Sequence, residues 1–341
     1  MKTPDKSLLF ATAFCHVSGR APNARTIFER SKLYMYYQCM IVCYASIRRL
    51  YPEAQLALFT NRVLPDPFNM HLKSLRVDTV ICASRYVDDL AFKNDFPGCF
   101  FSLDVIEQLA RSQSFGFSHL VLMDSDCIIR HRLDTMVDEL TSNEESIYAY
   151  EMGYPVNMVI NGQSRASLTL ALSYFSGQLV ACPIISHYGG EFYSIPSSAL
   201  PKLAKRIDDF WDWMKSEGIK SFGCNLTEEH VMSVVLAELG NTVNNARGLI
   251  KRIWTTVIYS SVDGSESGIP VWHLPSEKRR GFVKLYRYWV ANNGFAALSD
   301  RDFRDLVDKT VSLRKGGQKY PGRSLLLRAR NAVKVLVTGR L

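Results

Sequence analysis

The sequence predicts an α/β fold, a mixed central sheet flanked by helices, on three observations. The first 150 residues alternate short apolar runs with longer helical patterns, the sequence form of consecutive βαβ units. Beyond residue 150 the pattern loosens into strands and longer loops punctuated by Gly and Pro, with two further helices. The 341 residues are 47% apolar and 22% charged, enough for a large core, which excludes a disordered, collagenous or disulfide-stapled chain.

Taken in order, Leu8–Phe14 reads as a strand and Ser31–Leu50 as a helix stopped by Tyr51-Pro52. Gln55–Thr60 is a second strand, followed by the turn-rich segment Asn61–Pro67, and Thr79–Ala83 a third. Ser102 suits the N-cap of a helix running to about Ser114, because Leu103, Ile106, Leu109 and Ala110 share one face. Phe115-Gly116-Phe117 closes it, and His119–Met123 is a short buried strand. Helices are expected at Pro201–Lys215 and Thr227–Leu239, and Ser260–Gly268 is the most flexible-looking internal loop.

The excess of 41 Lys+Arg over 33 Asp+Glu is local. Residues 314–341 carry eight basic side chains and no acid, so the remaining chain is formally neutral. A nucleic-acid-binding protein is therefore not expected. Gly316-Gly317 and Pro321-Gly322 mark the start of this tail. As a helix, 323–338 would place Leu325, Leu326, Ala329, Val333 and Leu336 on one face and Arg323, Arg330 and Lys334 on the other. That form suits an anionic membrane surface; a helix packed on the body, or a disordered end, is the alternative. No apolar run reaches the ~18 residues of a membrane span. The expected location is cytoplasmic, with peripheral attachment at the inner face of the membrane through the tail. The eight cysteines form no Cys-x-x-Cys pair and are expected to be reduced, buried small hydrophobes.

The segment richest in chemistry is His119-Leu-Val-Leu-Met-Asp124-Ser125-Asp126. Two aspartates one residue apart follow an apolar strand, at the edge where open α/β sheets bind ligands. Such a pair is a hard-oxygen site for Mn²⁺ or Mg²⁺, completed by phosphate oxygens and water. Asp-Ser-Asp is also ordinary turn chemistry between two strands.

This pattern, continued by a second apolar stretch and Leu133-Asp134 opening a helix, resembles the metal-binding motif of glycosyltransferases of GT-A fold, the Rossmann-like nucleotide-diphospho-sugar transferases of the glycogenin and galactosyltransferase type. The resemblance implies one domain over residues 1–312, with a nucleotide-sugar-binding half at 1–150 and an acceptor half at 151–312, then a basic amphipathic tail at 313–341. It implies a metal-dependent transfer from a nucleoside diphosphate sugar, a UDP-sugar first, to a glycan or lipid-linked acceptor hydroxyl. Asp124 would lie near ribose and metal, with Ser125 beside it, and Asp126 would be the principal ligand.

Further residues follow from the same resemblance. In Val271-Trp272-His273-Leu-Pro275-Ser-Glu-Lys278-Arg279-Arg280, His273 would join the metal, and Lys278 or Arg279 would grip the diphosphate. The glycine and Lys-Pro-Trp ending usual in that group are missing, and a solvated surface loop is the plain alternative. Gly189-Gly190 lets backbone approach a ligand, and Glu191 with its aromatic neighbours suits a sugar; a simple turn is the other reading. Glu228 and Glu229 open a helix where related enzymes present an acid to the acceptor, Glu229 being favoured, although the helix dipole alone would accommodate both. Thr12, Phe14, Thr60 and Asn61, at strand ends, are the expected contacts of the base, and Lys93, Ser102 and Asp104 of the donor sugar. A catalytically inactive GT-A module and a sugar-1-phosphate nucleotidyltransferase are the competing functions, the latter lacking its Gly-rich basic loop after the first strand.

Overall fold

A computed structural model describes residues 8–17, 29–89, 91–92, 97–112, 115–133, 146–177, 183–240, 243–256, 260–311 and 313. Lys93, the Leu133-Asp134 helix beyond Leu133, and the tail segment 323–338 lie outside them.

Four parallel strands make the first half of a seven-stranded sheet: β1 (Leu8–Phe14), β2 (Gln55–Thr60), β3 (Val77–Ile81) and β4 (His119–Met123). Strand β5 (Cys127–Ile129) leaves for a second sheet, whereas β6 (Ile147–Glu151), β7 (Tyr188–Pro196) and β8 (Val243–Asn245) complete the first in the order β3-β2-β1-β4-β7-β6-β8. The sheet is mixed because β7 runs antiparallel to both β4 and β6. The small sheet has the order β5-β10-β9, with β9 at Ile250–Arg252 and β10 at Val271–His273.

Alternation along β1 shows how the sheet separates two cores. Leu8 and Phe10 pack with helix α1 (Glu29–Leu50) and with α7 (Gly281–Ala291) and α8 (Asp300–Thr310), through Met40, Phe282, Trp289 and Phe303. Leu9 and Ala11 face α3 (Phe101–Arg111), α4 (Arg165–Ser176), α5 (Leu200–Trp213) and α6 (Glu228–Leu239), through Ile106, Leu172, Phe210 and Val234. The short α2 (Phe68–Ser74) links β2 to β3 and buries Phe68 and Leu72. Arg130 joins α8 to the small sheet, with its guanidinium 3.5 Å from the Trp272 ring centroid and 2.7 Å from Asp308.

Several boundaries differ from expectation for local reasons. The third strand starts two residues early, because its register with β2 pairs Leu56 with Val77 and Thr60 with Ile81. Ser102 is no N-cap: a 3-10 turn at Pro97–Phe100 already feeds the helix, and the Ser102 hydroxyl donates to the Cys99 carbonyl at 3.1 Å. Helix α5 continues as a π turn over Met214–Gly218. Part of the Ser260–Gly268 loop is held, since Lys251 Nζ donates to Asp263 at 2.6 Å and Ser265 at 2.8 Å. Helices α2, α4, α7 and α8 lie where the sequence reading expects none. Among the described residues no cysteine is in a disulfide, and no helix is long and apolar enough to cross a membrane.

All five side chains of β4 are buried, and Leu122 is only 2% exposed. Leu122→Ala should lower the free energy of unfolding by about 2–5 kcal/mol, through lost transfer energy and a cavity beside the site. Urea titration of both proteins checks it; a change below about 1 kcal/mol would show that the strand can repack.

Candidate active site

The site forms where β4 ends. The main chain turns there, with Cys127 N–H donating to the Asp124 carbonyl at 3.2 Å, so the turn and the carboxylate pair are one feature. Asp124 N–H donates to the Glu191 carbonyl on β7 at 3.1 Å, which ties the aspartate turn to the neighbouring strand. His273 arrives through the small sheet, where β10 pairs antiparallel with β5 and places His273 opposite Cys127. Leu274 N–H closes the junction on the Asp126 carbonyl at 3.0 Å. One ligand atom from each of Asp124, Asp126 and His273 lies within 4.8 Å of the others.

His273 Nε2 faces Asp124 Oδ2 at 3.3 Å and Asp126 Oδ2 at 3.2 Å, and Lys278 Nζ donates to Asp126. Burial alone would raise the Asp126 pKa, but Lys278 and His273 hold it well below the usual carboxylate range. Asp124, whose side chain is half exposed at the cleft mouth, is pushed upward by partial loss of water and by the Asp126 charge, against the pull of His273. His273 rises to about 9: burial opposes its charge, and Asp126 and Glu191 more than offset that.

Beneath lies a second set of charges. Arg252, at the end of β9, grips Glu191 through Nε at 2.6 Å and through its terminal nitrogen at 2.5 Å, and the same nitrogen reaches Glu229 at 3.0 Å. Glu229 also accepts from Gly190 N–H at 3.3 Å and faces His187 Nε2 at 3.5 Å. Despite its burial, His187 and Arg252 therefore hold it well below the usual range. Glu228 differs. Burial, then the neighbouring Glu229 charge, raise it to about 8, with Cys99 as a hydrogen-bond partner.

These groups border a cleft of about 320 Å³. Among the residues predicted from sequence, Phe14, Ser102, Asp124, Ser125, Asp126, Gly190, Glu228, Glu229, His273 and Lys278 line it. Others do not reach it. Thr12 is fully buried against the Tyr44 hydroxyl at 2.6 Å, and Thr60 donates to the Arg62 carbonyl at 3.1 Å. Asn61 clasps the His16 main chain, accepting at 2.8 Å and donating at 3.2 Å. Asp104 is buried, accepts from Tyr86 N–H at 3.2 Å, and rises to about 7 through burial. Glu191 lies wholly below the cleft floor rather than open to a sugar, and Arg279 is exposed outside it.

Both glycines answer to packing. A Cβ on Gly189 would strike the Glu191 carboxylate and approach Arg252, and one on Gly190 would strike Glu228. Arg252, Tyr36, Cys99, Asn161 and Trp254 also line the cleft and were missed from sequence. The signal for Arg252 was the crowd of acids around the site, which a low-dielectric floor must balance with a buried cation.

No protein-family model and no curated protein matches the chain. Solved structures do match in fold. An active-site mutant of LgtC aligns over 87% of this chain and 99% of its own, at 10% identity and a TM-score of 0.50. The fold is GT-A. The apo form of mouse xyloside xylosyltransferase 1 also matches, over 79% of this chain and 97% of its own, at 10% identity and a TM-score of 0.45. Within the GT-A frame, the Asp124/Asp126 pair and His273 sit together at the carboxyl end of the central strand.

The raised Glu228 has a definite pH signature. Between about pH 4.5 and 8 the folded protein keeps a proton that the unfolded chain has released, so this group lowers stability as pH rises through that window. Glu228→Gln removes the term. The variant should gain melting temperature on the parent in going from pH 5 to pH 8, and thermal melts at the two values decide it; an offset independent of pH would contradict the raised pKa.

Proposed function

We propose that this chain is a metal-dependent glycosyltransferase that takes a nucleoside diphosphate sugar, a UDP-sugar in the first instance, and passes the sugar to a hydroxyl of a glycan or lipid-linked acceptor. The observation that carries this reading is the convergence of Asp124, Asp126 and His273 in the cleft of a GT-A fold. Two carboxylates and one imidazole are a fitting donor set for Mn²⁺ or Mg²⁺. His273 fits in orientation too, since Nε2 faces the aspartates while Nδ1 faces Glu191. Held there, the cation would neutralise the charge that develops on the departing diphosphate.

The chain's own residues supply the rest. Lys278 lines the cleft beside Asp126, so it, rather than the exposed Arg279, is the cation for the diphosphate. Phe14, Tyr36 and Trp254 give apolar and aromatic surface for a base or sugar ring. Of the two glutamates, Glu228 takes the proton of the acceptor hydroxyl from its ionised form: a pKa of about 8 makes that carboxylate a stronger base than an ordinary one and leaves a fraction of it ionised near working pH. Glu229 stays an anion, fixed by Arg252 and the Gly190 amide.

A thermal-shift titration tests the donor. UDP with Mn²⁺ should stabilise the protein, by about 2.7 kcal/mol at a hundred times the Kd, whereas UDP with a chelator should do so far less. Asp126→Asn should abolish the Mn²⁺-dependent part and cut transfer at least about 100-fold. Full Mn²⁺-dependent transfer by this variant would end the assignment.

The lipid-linked acceptor and the membrane surface rest on the tail sequence. Deleting residues 316–341 should release the protein from anionic liposomes in a sedimentation assay and leave nucleotide binding intact; unchanged sedimentation would discard the membrane reading.

A further inference from the structure

We propose that Glu191 is a positioning residue that sets the metal-facing imidazole and the acceptor-side acid at once. The inference rests on the metal-site reading above and assigns Glu191 a task beneath the substrates, away from the sugar. Glu191 is 0% exposed, and both of its carboxylate oxygens are committed. Oε1 faces His273 Nδ1 at 3.4 Å and accepts from Arg252 Nε at 2.6 Å, and Oε2 accepts from the Arg252 terminal nitrogen at 2.5 Å. From that same nitrogen the contact continues to Glu229 Oε1 at 3.0 Å. The Glu191 carbonyl meanwhile accepts from Asp124 N–H at 3.1 Å. One residue thus touches the aspartate turn through its main chain, and the imidazole and the arginine through its side chain.

The chemistry gives each contact a purpose. A carboxylate at Nδ1 keeps a proton on that nitrogen, so a cation that replaces the proton on Nε2 would meet a lone pair directed toward Asp124 and Asp126. Arg252 compensates the buried anion and, by the same fork, keeps Glu229 ionised and still. Gly189 shows that the arrangement was built around this pair: a side chain there would occupy the space of the Glu191 carboxylate.

The experiment measures Mn²⁺ affinity, by titration with paramagnetic detection of free Mn²⁺, in the full chain and in Glu191→Gln. The variant should bind Mn²⁺ about 10–100-fold more weakly, with His273→Ala as the reference for loss of the ligand itself. Retention of affinity within twofold, in a folded variant, would overturn the inference, whatever its melting temperature. Should Glu191→Gln not fold, the double variant Glu191→Leu with Arg252→Leu removes both buried charges together, and the same weakening is expected of it; undiminished affinity there overturns the inference equally. Absence of Mn²⁺ binding in the unaltered chain would overturn the metal-site reading and this inference with it. Unaltered binding in the variant beside a parent that binds would overturn this inference alone.

Discussion

The floor of the cleft is a place where charge must be balanced out of water. Asp126, Glu191 and Glu229 are buried within one small volume, and an uncompensated carboxylate there would cost several kcal/mol. Lys278, His273 and Arg252 each face at least one of them, and the compensation is shared rather than paired off. This shared balance explains why the acids divide into two kinds. Asp126 and Glu229 lie against cations and stay ionised, whereas Glu228, next to an anion and hydrogen-bonded to Cys99, is ionised only as pH approaches about 8.

Such a cluster needs a rigid frame, and the two sheets provide one. The parallel strands bring the aspartates to the carboxyl edge of the large sheet, and the antiparallel return of β7 brings Glu191 alongside them. His273 comes from about 150 residues further along the chain by way of a three-stranded sheet whose first strand starts immediately after Asp126. The approach of His273 to the aspartates is therefore set by main-chain register. Helices α7 and α8, beyond the elements that carry the candidate site, seal the α1 face over Phe10 and Trp272 and hold this second sheet in place.

Much of the frame was legible in the sequence because it rests on local pattern. The apolar runs of β1, β2 and β4 appear at the expected residues, since a strand buried on both faces writes itself as a continuous apolar stretch. Boundaries moved where a neighbour intervened, as at Ser102, whose capping chemistry yields to the 3-10 turn before it. Strand-end residues proved hardest to place. Phe14, the last residue of β1, reaches the cleft, whereas Thr12, two residues earlier on the same face, is covered by α1 and meets the Tyr44 hydroxyl.

By itself the sequence determined the chemistry on offer: a carboxylate pair after a buried strand, a late histidine with basic neighbours, two adjacent glycines, and two acids at a helix start. Those are properties of short windows, and short windows carry them. Only the tertiary structure decided which groups meet. It placed Glu191 beneath the cleft floor, gave Glu228 and Glu229 different surroundings, put Lys278 in the cleft and Arg279 outside it, and brought in Arg252, which no motif marks. The physical reason is that burial and partner distance set the state of an ionisable group, and both arise from contacts between residues far apart in the chain.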